Sequence, residues 1–246
     1  MKDKNDLLHI IKSQKWFYEF LLPDGTKTEN YLPEAIRNIH VTREKVLREF
    51  LINRVNDFSI ALDVSSHEGY FSIVLSEYFD RVIGVDKNQE SVDKARLISN
   101  ALDVINVEFK NSSVENFGGA DKYDFVLCYG LLYHVENPIQ LLQKVSALTK
   151  KTLCIETQVL PFSISGSIED GSYRWQRELH GLFGLCTDYS MRAEGGMTDF
   201  ALIPSRSGLE FLLREFGFRS VEFYVPTAFD YEQFVRGHRV ILFAEK

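Results

Sequence analysis

The 246-residue chain is short of glycine where a nucleotide-binding turn normally uses it, and it has no excess of positive charge. Lys and Arg number 28 against 35 Asp and Glu, a formal net charge of −7. That balance disfavours nucleic acid as a partner, because a sequence-independent grip on phosphate needs clustered cations, without excluding a local basic patch. No apolar run approaches the ~18 residues of a membrane span, and no charged-then-apolar leader opens the chain, so no membrane association is expected. The three cysteines are an odd count, and Cys128 and Cys154 each fall near the end of an apolar segment, where Cys is usually a small core residue. The expectation is a reduced, cytoplasmic protein without disulfides. The pairs His67-Glu68, His134-x-Glu136 and Glu178-x-His180 lack zinc-site spacing, so no metal is expected. Without a Walker sequence or a nucleophile elbow, P-loop and serine-hydrolase chemistry lack support.

What is present is an alternation of strand-length apolar runs and helical patterns, in a composition of 45% hydrophobic and 26% charged residues. The predicted strands are Ile60–Val64, Val82–Asp86, Val107–Lys110, Phe125–Cys128, Thr152–Glu156, Val221–Val225 and Arg239–Phe243. The predicted helices are Tyr70–Phe79, Gln89–Leu102, Pro138–Leu148 and Ser207–Phe216. Asn88 supplies a cap for the second helix, and Asn137-Pro138 a cap and first-turn proline for the third. Non-alternating apolar strands separated by helices predict an α/β fold with a doubly wound, mostly parallel seven-stranded sheet. The last two strands follow one another with no helical segment between them. The final strand is therefore expected to be antiparallel, added by a hairpin.

Two segments stand outside this alternation. Residues 1–57 are expected to form an N-terminal cover. It holds an apolar-aromatic helix or strand over Leu7–Phe20, a Pro23-Asp-Gly25 turn, and a helix from Arg43 to Val55. Residues 58–246 form the main domain, interrupted at 158–204 by a stretch with six of the fifteen glycines, six aromatics and no clear period. Such stretches often form a lid or binding loop.

The run Ile60–Leu75 reads as the first strand–turn–helix unit of a nucleotide-binding sheet, yet Gly69 is its only glycine. Twenty-three residues after Asp63, Asp86 closes the strand Arg81-Val-Ile-Gly-Val-Asp86. A carboxylate at that distance and at a strand's C-terminal end is placed to bind a ribose hydroxyl. Together they indicate a cofactor site. A nicotinamide-dependent oxidoreductase would share these features but needs a G-x-G-x-x-G loop, which this chain lacks.

Several motifs now combine. Leu62-Asp-Val, Glu68-Gly-Tyr-Phe-Ser72, Val82-Ile-Gly-Val-Asp86 and Lys94-Ala-Arg96 are followed by Val107-Glu-Phe109 and Tyr123-Asp-Phe-Val-Leu-Cys128. Then come Gly130-Leu-Leu-Tyr-His134 and Asn137-Pro138. From about Trp16 onward the chain resembles the class I S-adenosylmethionine-dependent methyltransferases. Gly130–His134, Glu156-Thr157 and Met197 with Ile203-Pro-Ser205 resemble a narrower branch that includes enzymes modifying tRNA wobble uridine with a carboxylated cofactor. The resemblance implies a Rossmann-like methyltransferase fold and S-adenosyl-L-methionine as cofactor. It implies cofactor contacts from Asp63, Ser65, Glu68, Gly69, Phe71, Asp86, Lys87, Ser113, Val114, Cys128, Tyr129 and Gly130. The chain departs from the family at Ser65 and His67, where glycines are common, and at Ser113, where an acid is common. Glycines there let the backbone approach the cofactor closely. Ser65 and His67 are expected to fit only if neither position demands positive φ. A non-catalytic scaffold that lost its cofactor is the alternative these departures raise.

Four residues are candidates for the chemistry. His134 follows the fourth strand, facing the crevice where open α/β sheets bind ligands; it is either a general base or a hydrogen-bonded residue ordering the turn before Pro138. Tyr133, by resemblance, shapes the methyl pocket. Glu156, ending the fifth strand, is a second candidate base, and His180 a third, with a surface loop residue as its alternative. Asp86 either holds ribose or serves as a helix N-terminal acid. Asp63 orders the loop or reaches the cofactor's amino group through water, Ser113 and Val114 either meet the adenine or form an ordinary loop, and Asp124 is structural. Phe162, Tyr173, Trp175, His180, Phe183 and Tyr189 either close over a small acceptor or pack the cap, and Trp16-Phe-Tyr18 adds to the same cover. The six acids and three arginines of 158–204 do not suggest an anionic polymer. The expectation is O- or N-methylation of a small metabolite, sugar or natural-product intermediate. The runner-up is tRNA wobble uridine modified with S-adenosylmethionine or its carboxylated form, for which Arg236 is the candidate carboxylate partner.

Overall fold

The helices that start at Gln89, Pro138 and Arg206 begin behind the side-chain caps Asn88, Asn137 and Ser205, and the helix that starts at Glu34 begins behind Pro33. The computed structural model describes residues 4–54, 58–118, 121–170, 175–188 and 199–246. They divide into two compact units, Met1–Leu127 and Cys128–Lys246.

The first unit opens with α1 (Lys4–Lys12), β1 (Lys15–Trp16), β2 (Glu29–Asn30) and α2 (Glu34–Ile52). It continues through β3 (Ile60–Val64), α3 (Tyr70–Ser76), β4 (Arg81–Asp86), α4 (Gln89–Ala101) and β5 (Val107–Asn111) into β6 (Tyr123–Tyr129). The second unit has a 3-10 turn (Leu132–His134), α5 (Pro138–Leu148) and β7 (Thr149–Gln158). Four short strands follow: β8 (Gly166–Asp170), β9 (Trp175–Leu179), β10 (Phe183–Thr187) and β11 (Phe200–Pro204). The chain closes with α6 (Arg206–Glu215), β12 (Ser220–Phe223), α7 (Glu232–Val235) and β13 (Arg239–Glu245).

The seven-stranded sheet has the order β12-β13-β7-β6-β3-β4-β5. Strands β3, β4 and β5 pair in parallel, whereas β13 is antiparallel to both β7 and β12. This is the mostly parallel α/β arrangement with an antiparallel last strand that the sequence predicts. Every residue of β6 is buried, which explains why its sequence shows no alternation. Asn88 accepts from the amides of Glu90 and Ser91, and Asn137 from that of Gln140 ahead of Pro138. Asp124 accepts from the amides of Ser59 and Ile60, fastening the entry to β3 in the structural role expected of it. Gly84 sits beneath the Phe109 ring. A Cβ there would lie 2.6 Å from that ring and 2.8 Å from Ser72 Oγ.

Three expectations need correction. Helix α2 begins at Glu34, behind Pro33, rather than at Arg43, because its first turns bury Ile39, His40 and Thr42, a mixed set with little apolar period; Val55 lies outside the described residues. A one-turn helix, α7, interrupts the hairpin between β12 and β13 and is too short to show periodicity. The stretch 158–204 contains paired structure, since β8 pairs antiparallel with β9 and β10 with β11. Tyr173, Tyr189, Met197 and the side chain of Trp175 lie outside the description. Cys128 and Cys154 are buried core residues, as read. Among the described residues, no helix is long and apolar enough to cross a membrane.

Candidate functional site

The turn between β3 and α3 is the centre of the first unit. Ser65 has φ 63°, His67 φ 50° and Gly69 φ 82°. The condition that neither Ser65 nor His67 sit at positive φ is thus not met: both fit although the backbone adopts the left-handed conformations that glycines usually fill. Each such non-glycine residue costs roughly 1–2 kcal/mol, so surrounding contacts must hold it. The amide of Ser66 donates to the Val85 carbonyl (2.9 Å), His67 N to Asp86 Oδ2 (2.9 Å) and Gly69 N to the Ser66 carbonyl (2.8 Å). The His67 ring packs against Phe17 and Tyr18, at centroid distances of 4.7 and 5.9 Å.

Glu68, a cofactor candidate, directs its buried side chain away from that role. Its Oε2 accepts from the amides of Phe17 (2.8 Å) and Tyr18 (3.2 Å), and its Oε1 from Lys94 Nζ (3.2 Å). The carboxylate therefore fastens the N-terminal segment to the turn. Asp86 Oδ1 accepts from Asn88 N (2.9 Å), so both its oxygens meet backbone amides. A carboxylate has about four lone-pair sites, and two remain for hydroxyl donors. Asn111 Nδ2 donates to the carbonyls of Asp86 and Lys87, locking the ends of β4 and β5 together. Burial pushes the Asp63 carboxyl up to about 7, Asp86's charge adds to the rise, and the Ser72 hydroxyl, 2.6 Å away, opposes it.

The remaining first-unit candidates are less committed. Lys87 is exposed, Val114 is buried, and Ser113 Oγ accepts from Asn116 N (3.4 Å). Phe71 is a core side chain set edge-on to Tyr18 and Tyr70. Two buried atoms of the turn, Ser66 Oγ and His67 Nδ1, have no hydrogen-bond partner in the protein. Ser66 carried no sequence signal, being one serine of a pair.

In the second unit, Cys128, Tyr129 and Gly130 close β6. Cys154 Sγ lies 3.6 Å from the Tyr129 hydroxyl, and Gly130, at φ 71°, donates its amide to the Glu156 carbonyl (3.2 Å). His134 Nδ1 meets Asp188 Oδ2 at 2.5 Å, and the His134 ring lies 4.1 Å from that of Tyr133. The β10–β11 pair makes this possible: Leu202 N donates to the Val135 carbonyl, and Asp188 N to that of Asp199. Sequence reasoning missed Asp188, which sits in a segment with no period and no motif.

Glu156 is fully buried and bonded to Arg239 Nη1 at 2.6 Å. A carboxylate held against a guanidinium is a weak base, so its expected role as a second base is corrected to that of a counterion. Arg239 lies 4.7 Å over the Tyr133 ring. Burial opposes its charge, but Glu156 and Tyr133 more than offset this, and the guanidinium pKa is raised. His180 stacks on Phe211 of α6, at 3.9 Å and 3°, with Nε2 3.7 Å from Glu178. This geometry packs the ring onto α6. Arg236 is exposed and paired with Glu232, which corrects its reading as a carboxylate-binding cation; the buried arginine is Arg239.

A profile described as a methyltransferase domain matches residues 57–181, which is 125 of the 246 residues. A ubiquinone biosynthesis O-methyltransferase from Actinobacillus pleuropneumoniae serotype 7 (strain AP76) is 27% identical over 95 residues, 36% of this chain. The chain spans about 40% of the length of that curated relative. Among solved structures, the N-terminal domain of EvdMO1, determined in the presence of SAH and D-fucose, superposes with a TM-score of 0.72 at 18% identity. That match covers 100% of this chain and 97% of the other. Magnesium protoporphyrin IX methyltransferase from Synechocystis PCC 6803 with bound SAH matches at a TM-score of 0.58 and 16% identity, covering 89% and 90%. These likenesses establish a shared fold.

Proposed function

The chain belongs to the methyltransferase domain family, and from that premise we propose that it is an S-adenosylmethionine-dependent methyltransferase that O- or N-methylates a small acceptor such as a metabolite or sugar. The observation that carries this reading is the turn held by Asp86, a carboxylate with two spare lone-pair sites, in which Ser66 Oγ and His67 Nδ1 are buried without a hydrogen-bond partner in the protein. A ribose diol and the polar methionine end of the cofactor are groups that such atoms would hold. When bound, the cofactor supplies an activated methyl group to a nucleophilic oxygen or nitrogen.

His134 supplies the proton acceptor. Asp188 on Nδ1 fixes the ring and favours the tautomer that leaves Nε2 with a lone pair. Nε2 can then take the proton of an acceptor hydroxyl as the new bond to carbon forms, or that of an ammonium beforehand to free its lone pair for attack, while Asp188 holds the ring. Tyr133, held under Arg239, presents a fixed aromatic wall next to that ring. Small acceptors are supported by the ubiquinone O-methyltransferase relative and by the D-fucose present with EvdMO1. The tRNA reading with a carboxylated cofactor has no comparable support, since Arg236 is exposed and Arg239 is already matched by Glu156.

The test is a calorimetric titration of the purified chain with S-adenosylhomocysteine and, separately, with NADH. Saturable binding of the former with none of the latter is expected. Preference for NADH, or no binding of S-adenosylhomocysteine at millimolar concentration, overturns the reading.

A further inference from the structure

Within the first unit, the N-terminal segment, α2 and the first residue of α3 enclose a cavity of about 260 Å³. Drug-sized sites run from ~300 Å³ upward, so this volume suits a single small ring. One wall is a parallel aromatic pair, Tyr18 on Tyr70, with centroids 5.0 Å apart and planes at 14°. The rest of the lining includes the carboxylates of Glu19, Glu34 and Glu44, the amides of Asn30 and Asn38, and the Arg37 guanidinium. Arg37 Nε is buried without a hydrogen-bond partner in the protein.

We infer that this cavity is a recognition site for a neutral or amine-bearing sugar-like polyol, and that it excludes carboxylated sugars. The site rests on its lining alone and goes beyond the methyltransferase reading. Rings with axial C–H groups pack on aromatic faces, while clustered hydroxyls need many carboxylate, amide and guanidinium partners arranged around a small volume. The cavity offers both. Glu19 meets Lys27 and Arg37, and Glu44 meets Arg48, which leaves Glu34 as the lining carboxylate that among the described residues faces no cation of its own. An ammonium group is welcome among these oxygens, and a carboxylate meets like charge.

The cavity is also continuous with the cofactor turn. Tyr18 donates its amide to Glu68 and packs on His67, and Tyr70 directly follows Gly69. A ligand on the Tyr18–Tyr70 wall therefore touches the same short stretch that shapes the turn.

The experiment uses D-galactosamine, D-galactose and D-galacturonate as an isosteric series. Saturation-transfer NMR follows each on the full chain, with and without S-adenosylhomocysteine. The amine and neutral sugars should bind, with galacturonate weaker by about tenfold. Asn38→Trp, at an exposed helix position, should fill the cavity and abolish sugar binding while S-adenosylhomocysteine affinity stays unchanged. Glu34→Gln should narrow the galactosamine-to-galacturonate gap. Equal or tighter galacturonate binding, no saturable signal from any of the three, or a sugar signal undiminished in Asn38→Trp overturns the site. Loss of S-adenosylhomocysteine binding in the unmodified chain overturns the methyltransferase reading instead, and the sugar titration on the cofactor-free chain still decides the cavity.

Discussion

His134 and Asp188 lie 54 residues apart in sequence and meet at 2.5 Å through Nδ1 and Oδ2. A carboxylate in that position orients an imidazole and fixes its tautomer, the arrangement a general base requires. His134→Ala should lower kcat by about 10²–10⁴-fold, and Asp188→Asn by a smaller factor, with cofactor affinity unchanged in both. Steady-state kinetics on an acceptor, paired with S-adenosylhomocysteine titration, checks this. Wild-type turnover in His134→Ala would assign the pair to turn stability alone.

Asp63 makes stability depend on pH in a direction set by its raised pKa. An aspartate in the unfolded chain titrates near ~3.9, and in the folded chain burial moves this one to about 7. Between those values the folded state holds a proton that the unfolded state has released. Its contribution is complete below about pH 4, is lost as pH rises toward 7, and changes no further above that. Asp63→Asn keeps an oxygen for the Ser72 hydroxyl and removes the buried charge. Urea midpoints should therefore show the variant gaining on the wild type from pH 4 to pH 8, with an upper bound of roughly 4 kcal/mol. A constant offset across that range would contradict the assignment.

Glu68 joins three partners: the amides of Phe17 and Tyr18, and Lys94. Glu68→Ala leaves two amides without an acceptor and takes the buried carboxylate from Lys94, whose ammonium keeps the Lys15 carbonyl (3.0 Å), a loss of about 2–4 kcal/mol. Glu68→Gln retains an amide oxygen for the backbone donors and should lose about half as much or less. Because Phe17 and Tyr18 cover His67, both variants should weaken S-adenosylhomocysteine binding in the same order as they lower the urea midpoint. An unaffected cofactor affinity in Glu68→Ala would separate the N-terminal segment from the turn.

The sheet was legible because its central strands are buried on both faces, and burial on both faces writes continuous apolar runs such as those of β3 and β6. Caps at Asn88 and Asn137 were legible because capping is local, with donor and acceptor three residues or fewer apart. The partners of the candidate residues were not, since they are set by tertiary folding. Asp188 reaches His134 only through the β10–β11 pair, and Arg239 reaches Glu156 across 83 residues. The same cause hid the conformation of the turn. Local sterics predict negative φ at Ser65 and His67, and at His67 contacts from Phe17, Tyr18 and Asp86 override that preference.

The scarcity of glycine in that turn then becomes a measurable arrangement of strain. At Gly69 the left-handed backbone coincides with close packing, and an added Cβ would lie 2.6 Å from Phe109 Cζ and 2.9 Å from Ala95 Cβ. Gly69→Ala should therefore cost more than about 2 kcal/mol, through strain and overpacking together. Ser65→Gly relieves a left-handed residue worth roughly 1–2 kcal/mol but enlarges unfolded-chain entropy by about 0.5–1 kcal/mol, leaving a small net gain. His67→Gly receives the same relief yet gives up the ring that packs on Phe17 and Tyr18, so it should be less stable than wild type. Urea unfolding of the three variants at one pH gives the order Ser65→Gly, wild type, His67→Gly, Gly69→Ala. If His67→Gly matched Ser65→Gly, the aromatic cover would not be what holds the turn, and the backbone bonds to Val85 and Asp86 would carry it alone.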